Sequence, residues 1–326
     1  MGNLDINVAK LKKNAFRYSK VRGETASRIR IPGGVIDSKS LGRVVEIAEK
    51  YGNGVIDITN RQGIEIPGIR LEDVDKVNAE VQLIIDSLRI NQTEEGKGYP
   101  ASGTRNVIAC PGARLCPFGC YDTTAFAQKM EKTIYPNDRH VKIAFTGCSN
   151  DCAKVRLGGF GGGGMAAVQP GSLCGLRAVY QILQAPFGRS AFPEKREGCP
   201  RYRQVHRLRC LRDVLSDTRM DQKPGALFRL VILGRTGKKN PRLAEDFIKW
   251  CDEESILKIA ANTYAYIEEY IDPNAVEHKE HIGYIVDRTG FEKFKEYIFK
   301  DVTLNEKAEV AQRVYWGGKH YDQYGG

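Results

Sequence analysis

The chain has 326 residues, 41% hydrophobic and 28% charged, which is ordinary for a globular protein and enough for two or three modules. A net charge of +10 points to nucleic acid only if it is spread over one face; residues 157–226 alone hold eleven Lys/Arg against five Asp/Glu, a net +6, which leaves +4 for the rest and excludes a continuous basic face. No apolar run is long enough to span a bilayer, and MGNLDINVAKLKKNAF has neither a secretory apolar core nor the Ser/Thr of a myristoylation signal, so a cytoplasmic chain with reduced cysteines and no membrane span is expected.

In chain order, SKSLGRVVEIAEKY (38–51) carries Leu41, Val44, Val45, Ile47 and Ala48 on a helical stripe, with Ser38 as its cap. VIDIT and GIEIPGI read as short strands split by the turn-prone NRQG, and LEDVDKVNAEVQLIIDSL (71–88) as a second amphipathic helix. This order predicts an α+β module over the first 90 or so positions. NVIA is a short strand before CPGARLC, YDTTAFAQKMEKTI a helix, and HVKIAFTGC an alternating β-branched strand that ends in a tight polar turn. FRLVILGR reads as a buried strand, RTGKKNPR as a basic loop that opens a helix near LAEDFIKW, and residues 253–271 and 289–300 as further helices.

Four cysteines stand out: Cys110 and Cys116 at C-x5-C spacing, then Cys148 and Cys152 at C-x3-C. Four thiolates suit a cubane iron–sulfur cluster. Structural zinc or buried free thiols are the alternatives, and the wide x5 and x3 loops suit zinc poorly. Cys120 and Cys251 have no partner at ligand spacing; Cys251 falls in an apolar stripe read as core.

RIRIPGG (28–34), ITNRQGIEIPGI (58–69), GTRNVIACPG (103–112) and HVKIAFTGCSNDC (140–152) together resemble the sirohaem-dependent sulfite and nitrite reductases, over about residues 10–157 and 227–310. The resemblance implies an α+β fold in which a ferredoxin-like half-domain (1–75) is joined to a sirohaem and [4Fe–4S] α/β domain (76–157 and 227–310), with a tail at 311–326. It implies a [4Fe–4S] cluster on Cys110, Cys116, Cys148 and Cys152, with Cys152 bridging to the sirohaem iron. Arg30, Arg105, His140 and Lys142 match the family's substrate-binding positions, and Arg28, Arg61 and Gln62 fall in the motifs that hold the macrocycle. The chemistry agrees, because sirohaem carboxylates and a small oxyanion both want cationic, hydrogen-bonding surroundings. Some family members carry lysine where His140 stands, and unlike lysine a histidine takes its charge at neutral pH from its surroundings. The RTGKKNPR loop could also reach sirohaem carboxylates.

Residues 158–226 do not read as sequence that evolved in this frame. Anaerobic-type sulfite reductases carry a ferredoxin-type insert here in their catalytic chain, with two C-x2-C-x2-C-x3-C runs, whereas this stretch shows only Cys174, Cys199 and Cys210, at other spacings. A Leu or Val codon ending in TG, before a codon that starts with C or T, spells cysteine one base forward. Such pairs begin at Leu173, Leu176, Val179 and Leu183, and again at Val205, Leu208, Leu211 and Leu215, with the x2, x2, x3 grid both times. Ser216–Asp217 then spells the proline that completes the signature. The reading is a disrupted, frameshifted insert, bounded by one shift between Arg156 and Leu173 and a second between Thr218 and Phe228; the alternative is a divergent linker. As written, the two further ferredoxin-type clusters cannot be ligated.

The resemblance implies six-electron reduction of sulfite to sulfide, with electrons from flavin and iron–sulfur donor subunits and ultimately NADH. Sirohaem-dependent reduction of nitrite to ammonia is the second reading. A non-enzymatic iron–sulfur or zinc protein is the third; the local origin of the charge argues against nucleic acid as its partner.

Overall fold

The computed structural model describes residues 16–88, 105–134, 139, 141–148, 150–158, 166–170, 227–234, 242–274 and 280–312. Along β2 (Glu24–Ile29), Thr25, Ser27 and Ile29 are buried and the residues between them are partly exposed, the period of a strand with one face on a core. It lies between β1 (Phe16–Tyr18) and β4 (Ile64–Arg70), and β3 (Asp57–Ile58) closes the far edge, so the antiparallel sheet runs β1-β2-β4-β3. Helices α1 (Ser38–Tyr51) and α2 (Val74–Ser87) contribute Val44, Ile47, Val77, Val81 and Ile84 to one core with Ile29, Ile64 and Ile66.

Three details differ from the sequence reading. The cap of α1 is Asp37 rather than Ser38: its carboxylate accepts the Ser40 amide at 2.9 Å, one residue before the apolar stripe alone would start the helix. β1 and β2 were not foreseen, because β2 turns threonine and serine inward, where apolar alternation would be expected. Helix α2 lies almost wholly past residue 75 yet packs into the first core.

The second module is a six-stranded sheet. Its strands are β5 (Ile108–Ala109), β6 (Ala144–Phe145), β7 (Ala166–Pro170), β8 (Phe228–Ile232), β9 (Glu245–Cys251) and β10 (Glu309–Val310), in the order β10-β9-β8-β7-β6-β5. β5, β6 and β7 are parallel and the other pairs antiparallel. Alternation sorts the two faces: Ala109, Phe145, Leu230 and Ile232 enter the main core, while Ile108, Ala144 and Val231 join a smaller cluster with Val155 of α4 (Val155–Gly158). The main core is covered by α3 (Thr123–Ile134), α5 (Glu253–Tyr270), α6 (Ile282–Thr289) and α7 (Phe291–Ile298).

Glu245–Cys251 was read as helix and is a strand. Seven residues are too few for periodicity to decide, and the open edge of β8 takes this segment as its partner. The helix read at 289–300 is α7 with α6 before it, split at Gly290, whose φ of +96° ends the first helix. β7 falls within the stretch read as the insert; the rest of 159–226, including every slipped-frame site, lies outside the described residues. Among the described residues no helix is long and apolar enough to cross a membrane.

Candidate functional site

Parallel pairing of β5 and β6 sends both chains out of the same edge of the sheet, and the turns beyond them hold the cysteines. Cys110 follows β5 directly, and its amide donates to Phe145 O at 3.1 Å, tying it to the end of β6. The Gly147 amide in turn donates to Cys110 Sγ at 3.1 Å. Within the turn after β5 the chain folds back on itself, with Gly119 so close to Gly112 that a Cβ on it would meet the Gly112 carbonyl carbon at 2.3 Å, and Gly147 of the turn after β6 packs against both. Cys120 N donates to Gly147 O at 3.0 Å and ties the two turns together.

The sulfurs sense one another. Burial raises the Cys148 thiol, the Asn150 amide opposes it, and the charges of Cys116, Cys110 and Cys152 add to the rise. Cys120 is raised by burial and then by Cys148 and Cys116, which brings it beside the predicted ligands though no spacing marked it. Cys110, Cys116 and Cys148 are half-buried and Cys152 is exposed. Among the described residues no three His, Cys, Asp or Glu side chains are set to hold one metal ion. A single zinc ion draws its thiolates to about 2.3 Å from one point; a four-iron cube is held by four separate thiolates, two pairs here on two turns.

The cations gather at the other end of the same strands. Arg105 N donates to Val141 O at 2.9 Å, which sets Arg105 beside the segment that carries Lys142. Five residue steps lead from Arg105 to Cys110, a reach of at most about 18 Å. Arg61 arrives from the turn between β3 and β4, and its Nη2 donates to Asn106 O at 2.8 Å and Ile143 O at 3.0 Å. Its Nε is buried without a hydrogen-bond partner among the described residues. Burial, then the Arg105 and Arg30 charges, bring Arg61 down to about 10, so three guanidiniums share one neighbourhood and Arg61 itself stays charged at neutral pH. Arg30, at the end of β2, is almost fully buried and paired with Glu131 of α3 at 2.8 Å. Burial raises the Glu131 carboxyl, with Arg30 pulling it back down.

Of the other predicted residues, Arg28 pairs with Glu65 across the β2–β4 register at 2.7 Å. Gln62 is a backbone clamp: its amide donates to Ala109 O at 2.7 Å and accepts from Ala109 N at 2.9 Å, one residue before Cys110. His140 lies outside the described residues. So does most of the basic loop after β8; Arg242 at its end is bound to Leu233 O, Asp287 and Gly283 O. Sequence reasoning missed Glu131 and Asn106. The available signal for Glu131 was a carboxylate within the stripe Ala127, Met130, Ile134 of an amphipathic helix. Asn106 donates to Ile31 O at 3.0 Å and Arg61 O at 2.7 Å, so the arginine end is a seam between the two modules.

Comparison with known proteins agrees with this architecture. Residues 101–307 match the nitrite and sulphite reductase 4Fe-4S domain, and residues 19–84 the nitrite/sulfite reductase ferredoxin-like half domain. The chain belongs to the nitrite and sulfite reductase family. It is 34% identical to the C subunit of the anaerobic sulfite reductase of Salmonella typhimurium over 331 residues, covering 96% of this chain and 95% of that protein. It is 31% identical over 128 residues to the coenzyme F420-dependent sulfite reductase of Methanocaldococcus jannaschii, covering 39% of this chain and 19% of that one. Among solved structures, the NirA protein of Mycobacterium tuberculosis superposes with a TM-score of 0.54 at 14% identity, over 90% of this chain and 43% of that one. Dissimilatory sulfite reductase I gives 0.53 at 14% identity, over 92% and 77%.

Proposed function

We propose that this chain is the catalytic subunit of an anaerobic-type sulfite reductase. In this reading Cys110, Cys116, Cys148 and Cys152 would hold one [4Fe–4S] cluster, and Cys152 would also serve as a ligand to sirohaem. The observation that carries the reading is the pairing of a four-cysteine end and a three-arginine end on one pair of strands, in a chain similar over 96% of its length to a component of an anaerobic sulfite reductase. The residues fit both groups. Cys110 Sγ already receives an N–H bond from Gly147, and the buried Arg61 Nε is an unused donor of the kind a carboxylate or oxyanion takes up.

Once bound, the two groups would relay, in successive small steps, the six electrons from an external donor that take sulfite to sulfide. The chain's part is electrostatic. Arg30, Arg105 and Lys142 would draw in the sulfite dianion and hold its oxygens, and charge on those oxygens grows as their bonds to sulfur weaken. Lys142, and His140 by the resemblance, would deliver protons to the departing oxygens. Gln62 and Arg61 keep the strands beneath the site in register through Ala109, Asn106 and Ile143. Electrons would come from flavin and iron–sulfur donor subunits fed by NADH, in the cytoplasm.

The same reading takes 171–226 as an out-of-frame insert, unable as written to hold the two ferredoxin-type clusters. Ala166–Pro170, paired as a strand between β6 and β8, supports an in-frame reading up to Pro170 and so a first shift between Pro170 and Leu173. The gene's codons test it: any of the eight sites that does not spell TGT or TGC one base forward sinks it.

The activity is tested on anaerobically purified protein with an artificial one-electron reductant, which bypasses the donor subunits. The expected result is a pigmented protein with a Soret band and a higher kcat/KM for sulfite than for nitrite. A preference for nitrite would favour the second reading, and a colourless protein containing zinc would end both.

A further inference from the structure

Two ion pairs leave strand β2 within three residues of each other, and they are unlike. Arg28 pairs with Glu65 inside one module, across a strand register, with a quarter of the Arg28 side chain exposed. Arg30 crosses to the other module, where its Nη2 donates to Glu131 Oε2 at 2.8 Å and lies 2.5 Å from Oε1. The Arg30 and Glu131 side chains are 5% and 1% exposed. A pair as dry as this is a poor way to gain stability, since an apolar pair of similar size would commonly serve as well or better. Its location supplies another reason. Arg30 Nη2 also reaches Arg105 O at 3.4 Å, and Arg61 is close enough for its ionisation to register both Arg30 and Arg105. Glu131 therefore brings a negative charge into a group of three guanidiniums, from the rigid side, on a helix whose neighbouring residues Ala127 and Met130 are locked in the core.

We propose that Glu131 is a positioning residue: it fixes the Arg30 guanidinium at the arginine end of the site and offsets enough like charge for the three arginines to stay assembled before an anion arrives. The inference rests on the substrate-binding role given to Arg30 above. Glu131 touches no substrate; it acts through Arg30, so the two side chains should behave as one unit.

The test compares the parent holoenzyme with E131Q, R30Q, the E131Q/R30Q double variant and E131D, each assayed for sulfite kinetics, iron content, Soret absorption and thermal unfolding. E131Q keeps the length and one acceptor but removes the charge. It should lower kcat/KM for sulfite on the order of tenfold or more, with KM raised, because a displaced guanidinium no longer meets the anion squarely. Iron and Soret band should stay at parent levels. The double variant should be no worse than R30Q, and E131D, which keeps the charge on a shorter arm, should recover part of the loss. Parent-like kinetics in E131Q with only a lowered unfolding midpoint would overturn the proposal and leave Glu131 as a core residue, and so would losses that multiply in the double variant. Parent-like kinetics in R30Q would instead overturn the substrate role of Arg30, while the coupled unfolding midpoints still reported the pair.

Discussion

The sulfur end and the arginine end of β5 and β6 are built by opposite means. At the sulfur end the cysteines sit on turns, partly open to solvent, and backbone geometry does the placing: the close Gly112–Gly119 contact inside the first turn, the Gly147 amide on Cys110 Sγ, and the Cys110 amide on Phe145 O. At the arginine end Arg30 is buried and Arg61 half-buried, and their guanidiniums are tied to groups from the other module: Glu131, Asn106 O and Ile143 O. Soft ligands for a metal cluster can come from adaptable loops, because the cluster itself completes the geometry. Cations that must meet a small anion need pre-set directions, and a rigid interface between two cores supplies them.

The sharpest way to break this division is to remove one side chain from each end. Replacing Cys110 with Ser should abolish sulfite turnover and bring iron and acid-labile sulfide close to background, because a cube that loses a thiolate loses its hold. Replacing Arg105 with Ala should keep iron and Soret absorption and lower kcat/KM about a hundredfold, the scale of one missing electrostatic group. If the Arg105 variant loses its pigment instead, the arginine end holds the cofactor rather than the substrate, and the two ends do the same work.

A middle-sized effect is expected where the modules grip each other. Gly34 has φ +68°, and a Cβ there would stand 2.9 Å from Gln62 Cδ, whose amide holds Ala109. Replacing Gly34 with Ala should therefore destabilise the fold by about 1–3 kcal/mol, from backbone strain and overpacking together. It should also hasten iron loss to a chelator, since Ala109 precedes Cys110. A variant that unfolds earlier yet keeps its iron as long as the parent would separate the half-domain from the sulfur end.

How much of this was legible follows the same division. The cysteines stood out because their C-x5-C and C-x3-C spacings are local, and strands β4, β5 and β6 were readable from their β-branched runs. The arginines were named from their motifs, but their partners were not, because Arg30 and Glu131 are 101 residues apart and no local period links them. Gln62 was placed among the cofactor-holding motifs, and its hydrogen bonds to Ala109 appear only once the two modules are docked. The strand at Glu245–Cys251 was misread because its seven residues suit either period and the partner strand decides.

The smallest expected effect concerns a sulfur that belongs to neither end. Cys251 is fully buried at the end of β9, and burial, helped by the Asp252 charge, pushes its thiol up to about 12 from an ordinary 9.0. The raised value means the fold favours the protonated thiol. That contribution to stability is complete below the ordinary thiol range and is lost as pH climbs from about 9 toward about 12. Replacing Cys251 with Ala should leave iron content and Soret band unchanged and cost about 1 kcal/mol near neutral pH. The gap between parent and variant should narrow in urea unfolding repeated near pH 10, because only the parent has this contribution to lose. A gap that stays constant would mean the thiol does not sense its burial, and iron loss in this variant would bring a core sulfur into the sulfur end from which its place in the fold excludes it.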